Sequence, residues 1–317
     1  MYFIGDIGAS KTHIIILSSE YNIIYSNKFI NSSVVDFYDI IHSSLVDIQI
    51  PLKYALIGIA APVMSDIIQL TNINWIIDKN KIMELLKCKV DLFNDVYLLT
   101  IAIQNLNTKY FYPIQQTIMT SKGIRCTIAI GTGIGVTIED TELFTIYATE
   151  SGHTEFLPQF ELGLKFSQFI KQNSNYVSIE SLCSSIGLKN LIIFFKLNKS
   201  FLSEKQIHLI NQVDENINFE KLAEYTELYL FIREILIQII AGFIRNKILE
   251  LLPKAGIVIT GGFGYNLFAD HISKQLLRKY LIKNDWTDII VEETPIFIVN
   301  PNDIPTGWIK YVKNLFN

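Results

Sequence analysis

Residues 2–17, YFIGDIGASKTHIIIL, constrain this chain more than any other stretch. Tyr2–Gly5 reads as a short apolar strand and His13–Leu17 as a second, β-branched one. Between them Asp6-Ile7-Gly8-Ala9-Ser10-Lys11-Thr12 makes a tight turn, so the whole predicts a hairpin. A carboxylate at a strand end, followed by small residues and hydroxyls, suits a phosphorylated ligand with its cation. Asp6 can reach magnesium through water, and the backbone N–H groups of Gly8–Lys11 with the Ser10 and Thr12 hydroxyls can face phosphate oxygens. An ordinary hairpin turn has the same composition, because Asp, Gly and Ser dominate turns.

A second loop of this kind follows at Thr127-Ile128-Ala129-Ile130-Gly131-Thr132-Gly133-Ile134-Gly135-Val136-Thr137-Ile138. A β-branched strand again runs into a glycine turn with a hydroxyl, and an apolar strand runs out. Glycines there let the backbone approach an anion closely. It is no P-loop, since no Gly-Lys-Ser/Thr follows and the exit is a strand. Gly-x-Gly-x-Gly also lacks the dinucleotide spacing and the helix behind it. Two such turns, far apart in sequence, suggest two halves of one protein gripping a phosphate chain. A third turn, Thr260-Gly261-Gly262-Phe263-Gly264, follows the strand Gly256–Ile259. It is read either as a nucleotide base or ribose site at a sheet edge or as a plain strand-to-helix connection.

At 317 residues the chain is long enough for two domains. Half of it is hydrophobic and 18% is charged, which describes a folded globular protein rather than a disordered one. A net charge of −4 without a Lys/Arg run argues against a nucleic-acid surface. Cys88, Cys126 and Cys183 are odd in number and far apart, as expected of core residues in a reducing cytoplasm, with no zinc spacing. The first strand begins at once, which predicts no signal peptide. Leu228–Leu252 is the most apolar stretch, but Arg233, Glu234, Arg245, Lys247 and Glu250 interrupt it. It reads as a buried helix ended by Pro253, not as a membrane span.

Along the first third, Ile23–Phe29 is expected as a third strand and Asp36–Asp47 as a helix. Tyr54–Ala60 is a strand, Asp78–Leu86 a helix behind an Asp cap, and Val90–Phe93 another strand. This order, with non-alternating apolar strands, predicts a mostly parallel sheet covered on both faces. The middle predicts helices over Gly163–Lys171, Ser178–Cys183, Gly187–Lys196, Ser203–Gln212 and Phe219–Leu252. The tail returns with a strand Ile296–Val299 and a helix from about Thr306. No internal repeat is visible at short period.

Phe93-Asn94-Asp95-Val96 falls at a strand's carboxyl end just before a helix, where open α/β sheets bind ligands. Asn94 offers a donor and an acceptor to a hydroxylated ligand, and Asp95 can take a proton from a hydroxyl. The same pair can also serve only as a helix cap. In Glu150-Ser151-Gly152-His153-Thr154-Glu155 a carboxylate and an imidazole can bracket the hydroxyls of a polyol. Two ligands at Glu-x-x-His spacing are too few for a metal centre, and the run also reads as a solvated turn.

Taken in order, GDIGASKT, AAPV, LTNINWIID, FNDV, IGTGIGV, ESGHTEF, SIESLCSSIGL and ITGG resemble the bacterial-type ATP-dependent glucokinases of the actin/hexokinase superfamily. The resemblance implies an α/β, two-domain actin-like ATPase (ribonuclease H-like) fold, with sugar and ATP in an interdomain cleft. The domains would be 1–103 plus about 296–317, and 104–295. By the same resemblance Asp95 is the general base on the sugar 6-hydroxyl, while Asn94, Glu150, His153 and Glu180 hold the other hydroxyls. Asp6 organises magnesium; Gly8, Ser10, Gly131, Thr132 and Gly133 cradle the phosphates; Gly261 and Gly262 flank the adenosine. The family often dimerises, and the long helix over 219–252 is expected as core or interface.

The sequence departs from the family where glycines are usual. Ala9, Ser10 and Lys11 stand for the Gly, Thr and Asn of GDIGGTN. Thr149-Glu150-Ser151-Gly152-His153 stands for GEGGH, and Ser184-Ser185-Ile186-Gly187-Leu188 for an SGPGL-like turn. Rival expectations are a kinase for another hexose such as N-acetylglucosamine, whose GGTKT-like loop GASKT also resembles, and a non-catalytic sugar sensor. No helix-turn-helix precedes the first strand, which disfavours a DNA-binding repressor.

Overall fold

A computed structural model describes residues 1–46, 48, 50–70, 73–115 and 122–317. Asp47, at the end of the first expected helix, lies outside the described residues, as do Thr71 and Asn72 of LTNINWIID. The chain divides into two compact units, Met1–Asn107 with Asn302–Asn317, and Thr108–Pro301.

The first unit comprises β1 (Tyr2–Ile7), β2 (Lys11–Leu17), β3 (Ile23–Ile30), α1 (Phe37–Leu45), β4 (Tyr54–Ile59), β5 (Ile67–Gln69), β6 (Ile76–Asp78), α2 (Lys79–Leu86), β7 (Lys89–Asn94) and α3 (Asp95–Asn105). Its five-stranded sheet has the order β3-β2-β1-β4-β7, and β5 and β6 form a separate ribbon. The sheet is mixed, not mostly parallel as the sequence suggested. β1 pairs in parallel with β4, and β4 with β7, but β1–β2 and β2–β3 are antiparallel. The opening hairpin is the reason, since a short turn can only return the chain antiparallel. Every residue of β4 is buried, as befits an inner strand, whereas edge strand β3 is largely exposed and carries Ser26, Asn27 and Lys28. Helix starts follow their caps: the Asp36 carboxylate accepts from Asp39 N–H at 3.0 Å, and that of Asp78 from Asn80 N–H at 2.9 Å.

The second unit holds β8 (Tyr112–Gln115), β9 (Ile124–Ile130), β10 (Ile134–Asp140), β11 (Thr145–Thr149), α4 (Glu161–Lys171), α5 (Ile179–Leu182), α6 (Ser185–Leu197), α7 (Glu204–Ile210), α8 (Phe219–Leu222), α9 (Thr226–Leu251), β12 (Gly256–Thr260), α10 (Gly262–Phe268), α11 (His271–Leu281), α12 (Asp288–Glu293) and β13 (Ile296–Ile298). Its sheet order is β11-β10-β9-β12-β13-β8. The pairs β9–β12 and β12–β13 are parallel and the remainder antiparallel. Apart from β8, this repeats the topology of the first sheet: an antiparallel three-strand meander whose first strand continues into two parallel strands. β13 was expected with the tail of the first unit, but it pairs in parallel with β12, and the chain leaves this unit only after Pro301.

The long helix expected over 219–252 is two helices. Ala223, Glu224 and Tyr225 donate backwards to Glu220, Lys221 and Leu222, a three-residue spacing tighter than an α-turn, and Tyr225 departs from helical geometry. α9 is the core helix of this unit, and its buried charges are paired. Arg233 meets Asp270 at 3.1 Å, and Arg245 meets Asp288 at 2.7 Å and the Leu281 carbonyl at 2.7 Å. It ends at Leu252 in a left-handed conformation just before Pro253. No helix among the described residues is long and apolar enough to cross a membrane.

The chain closes with α13 (Ile304–Phe316), which belongs to the first unit and packs on α3. Trp308 Nε1 donates to the Leu98 carbonyl at 2.9 Å. Gly307 allows that approach, because a Cβ there would lie 2.2 Å from the Ala102 carbonyl oxygen.

Candidate active site

In the first unit β1 carries Asp6 near its end, just ahead of the β1–β2 turn, and the β7–α3 junction carries Asn94 and Asp95. Gly58 of β4 brings the start of α3 down on the sheet: a Cβ there would meet Leu98 side-chain atoms at 2.7 and 2.9 Å and the Asp95 Cα at 3.3 Å. Asn94 is the α3 cap, its Oδ1 accepting from Val96 N–H at 3.0 Å and Tyr97 N–H at 3.2 Å. Its Nδ2 reaches the Ala61 carbonyl only at 3.4 Å. The capping role that the sequence left open is therefore real, and the amide hydrogens are the part of Asn94 left for a ligand. Burial, reinforced by the neighbouring Asp95 charge, pushes the Asp6 carboxyl up to about 7. His13, opposite Asp6 on β2, is pushed down to about 4 by burial and by Lys28, and its Nε2 lies 3.0 Å from Ser26 Oγ.

The turn itself corrects two details. Gly8 N–H closes the turn by donating to the Lys11 carbonyl at 3.0 Å, so it is not directed at a ligand. Thr12 is fully buried and its hydroxyl donates to Asn31 Oδ1 at 2.8 Å, so it cannot face phosphate either. Ser10 sits exposed in the turn.

In the second unit three expected sugar residues come together. His153 Nδ1 lies 3.9 Å from Glu180 Oε1, and its Nε2 lies 3.8 Å from Glu150 Oε2. The Glu150 and His153 side chains are half or more exposed, whereas that of Glu180 is 19% exposed. Glu180 lies directly on the β9–β10 turn, with Oε2 accepting from Ile134 N–H at 2.9 Å. Gly133 makes this possible, since a Cβ there would sit 2.0 Å from the same oxygen. Gly152 does the same for the His153 loop, where a Cβ would come within 1.8 Å of the Ile134 carbonyl oxygen. We expect Gly152→Ala to expel this loop and cost about 2–4 kcal/mol of stability, measured by chemical denaturation.

The β9–β10 turn is held from behind by α6. Ser185 N–H donates to the Gly131 carbonyl at 3.0 Å and Ile186 N–H to that of Thr132 at 3.3 Å. These helix-start amides are thereby engaged with protein and not directed at an anion. A side chain added at Gly131 or at Gly262 would meet nothing within 4 Å, so both glycines border open space. The two turns adjoin, because Gly261, at φ +85°, lies against the Ile130 backbone with an added Cβ only 2.4 Å from its carbonyl oxygen. β12, which leads into this turn, is an inner strand of the sheet and not an edge. Gly261→Ala combines a left-handed backbone with a main-chain clash. We expect it to cost about 2–4 kcal/mol, measured by chemical denaturation.

Sequence reasoning did not single out Asn31, Gly58 or the Ser185 and Ile186 amides. The only signal for Asn31 is a polar residue directly after an apolar strand end. Neither the amides nor the close approach at Gly58 leaves a mark in sequence.

The family model described as Glucokinase matches residues 3–305. A glucokinase of Trichormus variabilis is 25% identical over 329 residues, which span 94% of this chain and 94% of that protein. Among solved structures, glucokinase of Balamuthia mandrillaris in complex with glucose superposes with a TM-score of 0.79 at 15% identity, over 99% of this chain and 93% of that one. A ROK family glucokinase from Streptomyces griseus, in complex with glucose and AMPPNP, superposes with a TM-score of 0.66 at 14% identity, over 99% and 98%. At these identities the structural likenesses establish the fold, that of the α/β actin-like ATPases.

Proposed function

The chain belongs to the glucokinase family, and from that premise we propose that it transfers the γ-phosphoryl group of ATP to the 6-hydroxyl of glucose. The observation that carries this reading is the seating of Glu180 on the glycine turn. One oxygen of that carboxylate is bonded to the turn at Ile134, and the other lies beside His153. A sugar hydroxyl held at Glu180 and a phosphate held at Gly131–Gly133 are thus brought within a few bond lengths by one side chain. Phosphoryl transfer asks the protein for that kind of juxtaposition, with little covalent chemistry of its own.

In this reading Glu150, His153 and Glu180 take hydroxyls of the sugar, and Asn94 donates its amide hydrogens to another. Asp95 orients the 6-hydroxyl and accepts its proton as the bond to phosphorus forms. Thr132 and Gly133 offer the phosphate chain their backbone, Ser10 its hydroxyl, and the open faces of Gly131 and Gly262 leave room for nucleotide. Asp6 fits magnesium, because a carboxylate pushed up by burial and by a second carboxylate is relieved by a dication. Among the described residues no three metal-ligating side chains converge, so phosphate oxygens and water would supply most of its coordination. Magnesium bound there neutralises charge on the phosphates.

The test is ADP release from ATP and magnesium against a panel of glucose, mannose, fructose and N-acetylglucosamine. Turnover with the highest kcat/KM on glucose is the expected result. A preference for N-acetylglucosamine would reassign the sugar, and sugar binding without ADP release on any of the four would end the kinase reading.

A further inference from the structure

Asn31 follows β3 directly and is 2% exposed. Three of its four hydrogen-bonding groups are spent on the β1–β2 turn, and the fourth, its carbonyl, accepts from Val34 N–H at 3.3 Å. The side-chain Nδ2 donates to the Gly8 carbonyl at 2.8 Å, Oδ1 accepts from the Thr12 hydroxyl at 2.8 Å, and the backbone N–H donates to the Ser10 carbonyl at 3.0 Å. The contacts fall on alternate residues 8, 10 and 12, so one side chain and its own amide span the whole turn from the rear.

This arrangement determines where the turn's donors point. A trans peptide is planar, with its N–H directed opposite to its C=O. With the Gly8 and Ser10 carbonyls drawn toward Asn31, the N–H groups of Ala9 and Lys11 are aimed the other way. Neither Ala9 nor Ser10 has a positive φ, so the turn does not hold this geometry through glycine-like backbone. Asparagine is suited to the place because it carries a donor and an acceptor on one short, planar group. Aspartate lacks the donor for Gly8, and leucine lacks both.

We infer that Asn31 is a positioning residue for nucleotide: by capturing the rear of the β1–β2 turn it presets the amides that receive phosphate oxygens. This rests on the phosphate-binding reading of that turn and deepens it. Asn31 acts through the turn and does not touch the ligand.

The decisive experiment measures nucleotide and sugar separately in Asn31→Asp and Thr12→Val. Asn31→Asp keeps the shape and the acceptor for Thr12 but sets a carboxylate oxygen against the Gly8 carbonyl. It is expected to raise both the KM for ATP and the Kd of a fluorescent ATP analogue by about tenfold or more. The calorimetric Kd for glucose should stay within about twofold, since a preset turn on the nucleotide side leaves sugar hydroxyls untouched. Thr12→Val should shift the nucleotide constants in the same direction by about threefold. Nucleotide constants unchanged in Asn31→Asp would overturn the inference, as would a parallel loss of glucose and nucleotide affinity with a falling Tm. Should Asn31→Asp fail to fold, Thr12→Val decides on the same two readouts. Analogue binding is measured without sugar, which separates the two readings. A wild-type protein that binds the analogue but phosphorylates no hexose would sink the kinase reading and leave this one standing. A wild-type protein that binds no nucleotide would remove both.

Discussion

Asp95→Ala is expected to lower kcat by about a thousandfold while the Kd for glucose changes only a few-fold. Asp95 is the first residue of α3, and its placement is set by Gly58 beneath it and by the Asn94 cap beside it. In the proposed reaction the side chain is needed when the 6-hydroxyl proton leaves, late in the transfer, so its loss should fall on the transition state more than on the bound sugar. Asp95→Asn should behave alike, since it keeps the shape and loses the base. Steady-state kinetics paired with calorimetry reads both quantities. More than a tenth of wild-type turnover in either variant would remove Asp95 from the role of base.

Asp6→Asn should combine two opposite effects. Turnover with ATP and magnesium is expected to fall by at least about a hundredfold, because charge neutralisation on the phosphates carries much of this chemistry. The metal-free protein should at the same time become more stable at neutral and alkaline pH. The Asp6 carboxyl is pushed from its ordinary value of 3.8 to about 7 in the folded protein, by burial and then by the Asp95 charge. The folded chain therefore holds a proton that the unfolded chain has lost between about pH 4 and 7. Stability contributed by this group falls as pH rises through that window and is level above it. The shift corresponds to at most about 4 kcal/mol, which partial solvent access reduces to about 1–2 kcal/mol. Denaturation in the presence of a chelator should show Asp6→Asn ahead of wild type at pH 8 and level with it below pH 4. Equal stability at both pH values would show that burial and the Asp95 charge do not raise the Asp6 carboxyl in the folded protein.

The opening hairpin was legible because its strands are uninterrupted apolar runs and its turn is made of residues that prefer turns. The capped helices α1 and α2 were legible for a similar reason, with Asp36 and Asp78 marking their starts. The mixed character of the sheets was not. Apolar strands read alike whichever way a neighbour runs, and only the connections decide. The break between α8 and α9 was hidden because Ala223–Tyr225 contains neither Gly nor Pro. At the site, Glu150 and His153 were read from their own loop and Glu180 from the family resemblance, whereas the structure adds why the three meet: Gly133 and Gly152 allow α5 and the His153 loop to lie against one turn. The missing glycines also have an explanation. Ala9, Thr149, Ser151 and Ser185, which stand where the family has glycine, all have negative φ, so their side chains are carried without strain. The Thr149 hydroxyl even stitches its loop, donating to the Val136 carbonyl at 2.9 Å and lying 3.0 Å from Ser151 Oγ.

Both glycine turns are fastened through their carbonyls, one by Asn31 and the other by the first amides of α6. Whatever the outer side chains are, main-chain dipoles face forward in each. Recognition by dipoles leaves the residues that greet the ligand open to exchange among relatives, while the residues behind them are bound to stay. A survey of natural variation should then find Ala9 and Lys11 drifting freely and Asn31 held, an inversion of the usual rule that what touches the ligand changes least. For a chain with few permissive glycines in its loops, that inversion is a route by which sequence can diverge far while an anion site persists.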